Sequence, residues 1–278
     1  LFNEEVRTRE VYLFADERKN IADRWDYHSV LIVPAEKYDL ALKKLLDVRE
    51  KYNYPGEFKF SGINKNAKGA KYDVACDWLE LILKDVEKCF YFRILGIDKK
   101  VLREDRFKGN EKTSGGELNA NVYNRFFRTS VLGLKHYFPG RNILVKAVCH
   151  DSEGYLEAHR YFNWHLIWKL GTEEDRMAFE CENITFVNSD HRKEKDNTEY
   201  SHFIQFVDLI VGAVTHCIDF PENGRRNLGR RKVAENILPL VQRMIENPRN
   251  KNSRYKYYRK YDVSFFPSQP PKGVDYDD

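Results

Sequence analysis

"VYLFADERKN", Val11 to Asn20, is the stretch on which the reading of this chain turns. Its first five residues are apolar and aromatic, the composition of a buried strand. The run then gives way to two adjacent carboxylates, Asp16 and Glu17. A strand's solvated end would say little about function, whereas acids that other carboxylates approach could hold a metal. Neighbouring side chains on a strand point to opposite faces, so Asp16 and Glu17 are not expected to serve one site together.

Outward from this stretch, strand and helix patterns alternate. "YHSVLIVP" closes at Pro34 and reads as the hairpin partner of the first strand. From Ala35 the period turns helical, with Tyr38, Leu42, Leu45, Leu46 and Val48 on one face. "EFKFS", which begins at Glu57, alternates charge and aromatic as a half-buried strand does. "AKYDVACDWLELILKDVEK" reads as an amphipathic helix and "CFYFRILGI" as the strand it feeds. "VLREDRFKGNEKTSGG" reads as a surface loop, and "ELNANVYNRFFRTSVLGLKHYF" as a long helix stopped by Pro139 and Gly140.

"NILVKAVCHDS" is a strand that ends at Asp151, "EGYLEAHRYFNWHLIWKL" a helix, and "ITFVNSD" a strand that ends at Asp190. "EYSHFIQFVDLIVGAVTHCI" is the most apolar helix and carries Asp208 in its middle. The alternation predicts an α/β fold, a central sheet covered by helices.

Past Pro221 the composition shifts, which predicts a core over 1–221 and a basic, Tyr-rich extension over 222–278. Between Gly224 and Lys260 twelve Lys or Arg face two Glu, in a chain whose net charge is only +4. The body is therefore net acidic and the extension strongly basic, the asymmetry expected where polyanion contact is concentrated. Arg225, Arg226, Arg230, Arg231 and Lys232 are placed to neutralise phosphates, and Tyr255, Tyr257, Tyr258 and Tyr261 to stack on bases. The competing reading is a solvated helix face and an aromatic packing edge. The tail "PSQPPKGVDYDD" reads as extended.

Composition narrows the classes. Five cysteines, scattered and without a CxxC pair, argue against a disulfide framework or structural zinc. No run of eighteen apolar residues occurs and "LFNEEVRTRE" lacks the pattern of a signal peptide, so a cytoplasmic protein is expected, with no membrane partner. There is no GK[ST] phosphate loop and no GxSxG elbow, which disfavours motor NTPases and serine hydrolases.

An ionised carboxylate in so apolar a helix as that of Asp208 is costly unless paired, hydrogen-bonded or bound to a cation. A polar helix edge or an Arg partner would explain it. Ligands bind α/β sheets at strand ends, however, so the strand-end acids and Asp208 have a common place to meet. Mg²⁺ or Mn²⁺ suits a carboxylate set without His or Cys, and two such ions about 4 Å apart can activate water for phosphodiester cleavage.

These features together resemble a known family. Asp16 and Glu17 after a first strand, Glu57 in "EFKFS", Asp151 closing a strand, and Gln205, Asp208, Leu209, Gly212 and Ala213 in "HFIQFVDLIVGAV" are similar to domain-of-unknown-function family 3800. The resemblance spans Val11 to Ile218. The family's usual opening is Asp-Glu-Ser-Gly, where this chain has Asp16, Glu17, Arg18 and Lys19. The resemblance implies a ribonuclease H-like mixed sheet, here with the basic extension appended. It also implies a nuclease whose metal ligands are Asp16, Glu57, Asp151 and Asp208, with Glu17 and Asp190 as second-rank candidates.

Each residue also has a plainer reading. Glu57 can be an exposed strand residue beside Lys59, Asp151 can cap the helix that follows it, and His150, His191 and His202 can be satisfied core groups. The leading expectation is a divalent-metal-dependent nuclease. The alternatives are an inactive nucleic-acid-binding subunit, its pocket completed by a partner protein, and a nucleotide phosphohydrolase.

Overall fold

A computed structural model describes residues 7–19, 25–102, 107, 115–152, 154–219, 227–246 and 260–266. The first two strands, β1 (Thr8–Lys19) and β2 (Trp25–Pro34), form the expected antiparallel hairpin, with Asp16 opposite Ser29 and Glu17 opposite His28. β1 does not end at the two carboxylates but runs on to Lys19. The hairpin partner holds it in register, so Asp16 and Glu17 keep the alternation of a strand.

Helices α1 (Tyr38–Lys51) and α2 (Ala70–Leu83) follow, then β3 (Tyr91–Asp98), buried along its whole length and antiparallel to β2. Leu46, expected on the buried face of α1, is exposed, while Leu42, Leu45 and Val48 are buried. α3 (Gly115–Leu132) runs into a short 3-10 turn before Pro139 and Gly140. Most of the loop before α3 lies outside the described residues.

β4 (Asn142–Asp151) lies parallel to β1. The helix expected after it is divided into a single turn, α4 (Gly154–Glu157), and α5 (Phe162–Glu173). Two three-residue strands, β5 (Met177–Phe179) and β6 (Thr185–Val187), pair with the first and last parts of β4. β5 has no counterpart in the sequence reading, being too short for alternation to register. Asp190 stands three residues beyond the end of β6.

α6 (Thr198–Asp219) and α7 (Leu228–Glu246) precede β7 (Tyr261–Phe266), which pairs parallel to β3. The sheet is mixed and seven-stranded, in the order β5-β4-β1-β2-β3-β7, with β6 also on β4. One face packs on α1, α2, α6 and α7 around Phe14, Trp78, Phe92 and Phe206; the other packs on α3 and α5 around Leu13, Phe127 and Phe162. Val233, Ala234, Ile237 and Val241 of α7 and Tyr261 and Val263 of β7, all within 222–278, join the first of these cores. Tyr261 is buried and its hydroxyl donates to the Ile82 carbonyl at 2.8 Å. It cannot stack on a base, which corrects one of the expected tyrosine contacts.

α6 is long and apolar enough to cross a membrane, but 83% of that span is buried inside the fold. Its apolar surface is spent on the sheet and on α7.

A single irregularity decides which way β4 aims. The β1–β4 register shifts between Val11 and Tyr12, with Lys146 as the extra residue. Ile143 and Val145 therefore face the α3 side, while Ala147 and Cys149 face the α6 side. Bulges re-aim side chains in this manner. Without it Asp151 would point away from α6.

Candidate active site

Phe14 is registered with Cys149, and both belong to the core on the α6 side. Two residues further along each parallel strand stand Asp16 and Asp151, on that same face by alternation. Asp208 reaches them from α6. The carboxylates of Asp16, Asp151 and Asp208, from three separate elements, lie close enough to act on one another's charge.

Each is half-buried, and each has its pKa raised. Desolvation leads in all three. For Asp16 the charges of Asp208, Glu17 and Asp151 add to it, against the Glu17 N–H, which donates to Asp16 Oδ1 at 2.8 Å. For Asp208 the Phe60 N–H, Arg18 and Lys59 oppose the rise and Asp151 adds to it. For Asp151 the opposing groups are Lys59, His150, the Ser152 N–H and the Ser189 hydroxyl. Like charges in a desolvated place cannot all ionise cheaply without a cation.

Glu57 arrives differently from the expectation. "EFKFS" is not a strand: Glu57 to Lys59 is extended but unpaired with the sheet, and Phe60–Gly62 forms a 3-10 turn. The alternation is real, since Phe58 and Phe60 are fully buried and Lys59 is exposed. The backbone partners, however, are side chains of α6. Gln205 Oε1 accepts from the Phe58 N–H, and Asp208 Oδ2 accepts from the Phe60 N–H, both at 2.6 Å. One helical turn further, Gly212 lies where any Cβ would overlap the Phe60 ring. Gln205, Asp208 and Gly212 thus dock one segment, which gives the helical motif a physical role. Burying each Phe adds about 1.5–3 kcal/mol to that docking.

Gln205 is fully buried and also accepts from Arg49 and donates to the Ser189 carbonyl. Ser189 in turn donates from its hydroxyl to Glu57 Oε1 at 2.8 Å. Glu57 is further paired with Lys59, whose Nζ lies 3.4 Å from Oε1. The Lys59 ammonium feels Glu57, Asp151 and Asp208 together, which raises its own pKa against desolvation. Lys59 was visible in the sequence only as the neighbour of Glu57.

The second-rank acids go elsewhere. Glu17 lies on the other face, where it accepts from the Tyr123 hydroxyl at 2.8 Å and stands 3.5 Å from His150 Nε2. Asp190 is held by Arg192, with contacts of 2.8 and 3.0 Å, and by Lys193 at 3.3 Å. The Arg192 side chain leads in depressing the Asp190 pKa well below the usual range. His150 is buried with Nδ1 2.7 Å from the Asp151 carbonyl oxygen. The His191 and His202 ring centroids lie 4.6 Å apart with the rings tilted by 37°, and burial, the leading cause, pushes His202 down to about 3, a neutral group at physiological pH.

Among the described residues no group of three or more His, Cys, Asp or Glu stands at ligand distance from a common point. One feature nevertheless fits a hydrated cation. Ser29, directly across the hairpin from Asp16, has a buried hydroxyl without a hydrogen-bond partner among the described residues. Buried polar atoms almost always have a partner, and ordered water around a bound ion would provide one.

Of the predicted phosphate contacts, Arg230 donates to the Ser61 carbonyl, Arg231 pairs with Glu235 at 2.9 Å and Lys232 is exposed. Arg225, Arg226, Tyr255, Tyr257 and Tyr258 lie outside the described residues. The arrangement defines an α/β protein with an acidic cluster between two parallel strands and a helix. No family model matches the chain, and no curated protein matches it.

Proposed function

We propose that the chain is a divalent-metal-dependent nuclease that hydrolyses phosphodiester bonds in RNA or DNA. The observation that carries this reading is the meeting of Asp16, Asp151 and Asp208 from β1, β4 and α6, where Asp208 and Asp151 raise the cost of ionising Asp16, and Asp151 that of ionising Asp208. A ribonuclease H-like core is supported by the meander β1-β2-β3 with β4 parallel beside β1.

Asp16, Asp151 and Asp208 would hold Mg²⁺ or Mn²⁺, and Glu57, carried on its docked segment, would hold a second ion or orient water. Such ions supply the charge that lets water attack a phosphodiester and that stabilises the leaving oxygen. Lys59 offsets part of the carboxylate charge, and Ser29 would bind water beside Asp16. The free cysteines fit a reducing, cytoplasmic setting.

The test is cleavage of labelled RNA and DNA strands with Mg²⁺ or Mn²⁺. Asp16→Asn and Asp208→Asn should each abolish it while the protein stays folded; retained cleavage contradicts the reading. A second reading, a nucleic-acid-binding subunit without activity, is favoured by Lys59, whose ammonium already serves three of the acids. Binding without cleavage in the same assay would select it.

A further inference from the structure

Beside the acids, the surface turns basic around one loop. Phe60 marks the border: the Arg18 guanidinium carbon lies 5.0 Å from its ring centroid and the His216 ring 6.1 Å from it. Beyond Phe60 the chain abuts the start of α7. Arg230 donates to the Ser61 carbonyl, Asn227 Nδ2 donates to the Ile63 carbonyl at 3.1 Å, and Gly229 sits so near the Asn64 carbonyl that a Cβ there would overlap it. Lys71 of α2 reaches back, its Nζ 2.8 Å from where a Cβ on Gly62 would stand.

Cations from β1, α2 and α7 therefore surround one short segment that leads away from the acids. The same arginines act on His216, a buried group pushed down to about 4, first by desolvation and then by Arg18, Arg230 and Arg231. Arg230 Nε is buried without an acceptor among the described residues. Arg231 shares its charge with Glu235. Asp208 answers part of the Arg18 charge, and Glu57 and Asp208 part of that of Lys71; an anion would relieve chiefly the mutual repulsion at the α7 end of the set. Cations spread over three elements match charges spaced along a backbone better than those of a compact nucleotide.

We propose that the edge formed by Arg18, Lys71, Arg230 and Arg231 seats the phosphates of a nucleic-acid strand next to the acid cluster, so that the substrate is a polymer and not a free nucleotide. This deepens the nuclease reading and rests on it for the identity of the neighbouring site.

The experiment is fluorescence anisotropy of a labelled single-stranded oligonucleotide without divalent metal, over a salt series, with thermal melts as the check on folding. In Arg230→Ala/Arg231→Ala, affinity should fall about tenfold and the slope of log affinity on log salt should shrink by about 0.7 for each phosphate of the single strand no longer neutralised. Glu235→Gln frees Arg231 and should tighten binding, a gain that loosened folding does not produce. Unchanged affinity and slope in the double variant, weaker binding in Glu235→Gln, or equal competition by a mononucleotide would overturn the seat. No cleavage is read, so steeply salt-dependent binding by a wild type that never cleaves would contradict the nuclease reading and leave the seat standing.

Discussion

Asp208 Oδ2 accepts the backbone N–H of Phe60 at 2.6 Å, across 148 residues of chain. One carboxylate thus docks the segment that carries Glu57 and also contributes to the acid cluster, and substitutions should separate the two roles. Asp208→Asn keeps an acceptor for the Phe60 N–H and removes a charge that Asp16 and Asp151 oppose. Asp208→Ala leaves that N–H without its partner, at a cost of about 1–3 kcal/mol. Urea denaturation should place the Ala variant below the Asn variant by that amount, and both should lose metal-dependent cleavage.

Gly212→Ala should destabilise by about 1–3 kcal/mol, because the new Cβ meets the ring of Phe60 inside a packed core. Gly171→Ala in α5 is the comparison, since a Cβ there has Phe179 at 3.7 Å as its nearest neighbour. Relief of helical glycine should make that change neutral or stabilising by about 0.5–1 kcal/mol. Thermal melts of the two variants would show opposite signs.

Without metal, the part of the stability contributed by the three clustered acids should fall as pH rises through the acidic range, against the opposite trend of the buried, neutral His202 and His216. Asp16, Asp151 and Asp208 have folded pKa values above their unfolded ones. Between those values the folded state binds more protons, so the stability they contribute is present at low pH and is lost as pH climbs through the folded pKa. Asp190 acts in the opposite sense: its depressed pKa gives stability that disappears as pH falls. Asp16→Asn should flatten the loss on the rising side, and Mg²⁺ should recover it at neutral pH. Chemical denaturation across a pH series measures both.

Lys59→Gln should strengthen divalent-cation binding and weaken the metal-free fold at neutral pH. The ammonium stands against Glu57 and is felt by Asp151 and Asp208, so its removal deletes a resident counter-charge. Calorimetric titration with Mn²⁺ should show tighter association than in the wild type, and the melting temperature without metal should drop at pH 8 while changing little at pH 4. An unchanged Mn²⁺ affinity would reduce Lys59 to a surface ion pair.

Much of the sheet was legible because burial imposes alternation. Val11 to Ala15, the hairpin partner and the strand closing at Asp151 carry their faces in their apolar pattern, and the apolar surroundings of Asp208 mark it as unusual. The bulge at Lys146 has no such signature, yet it turns Asp151 toward α6. "EFKFS" carries the alternation of a strand because its phenylalanines are buried, but its N–H groups bond to Gln205 and Asp208. Periodicity reports which side is buried and not which group supplies the hydrogen bond. β7 was hidden for a related reason: the bases and tyrosines around it dominate the composition, while Tyr261 and Val263 are core residues.

The central claim is that Asp16, Asp151 and Asp208 form a divalent-cation site, and calorimetric titration of the purified protein with Mn²⁺ tests it most directly. Saturable binding by the wild type, lost in Asp16→Asn and in Asp208→Asn with the fold retained, is the predicted result. A wild type without saturable binding, or the same isotherm in all three proteins, would contradict it.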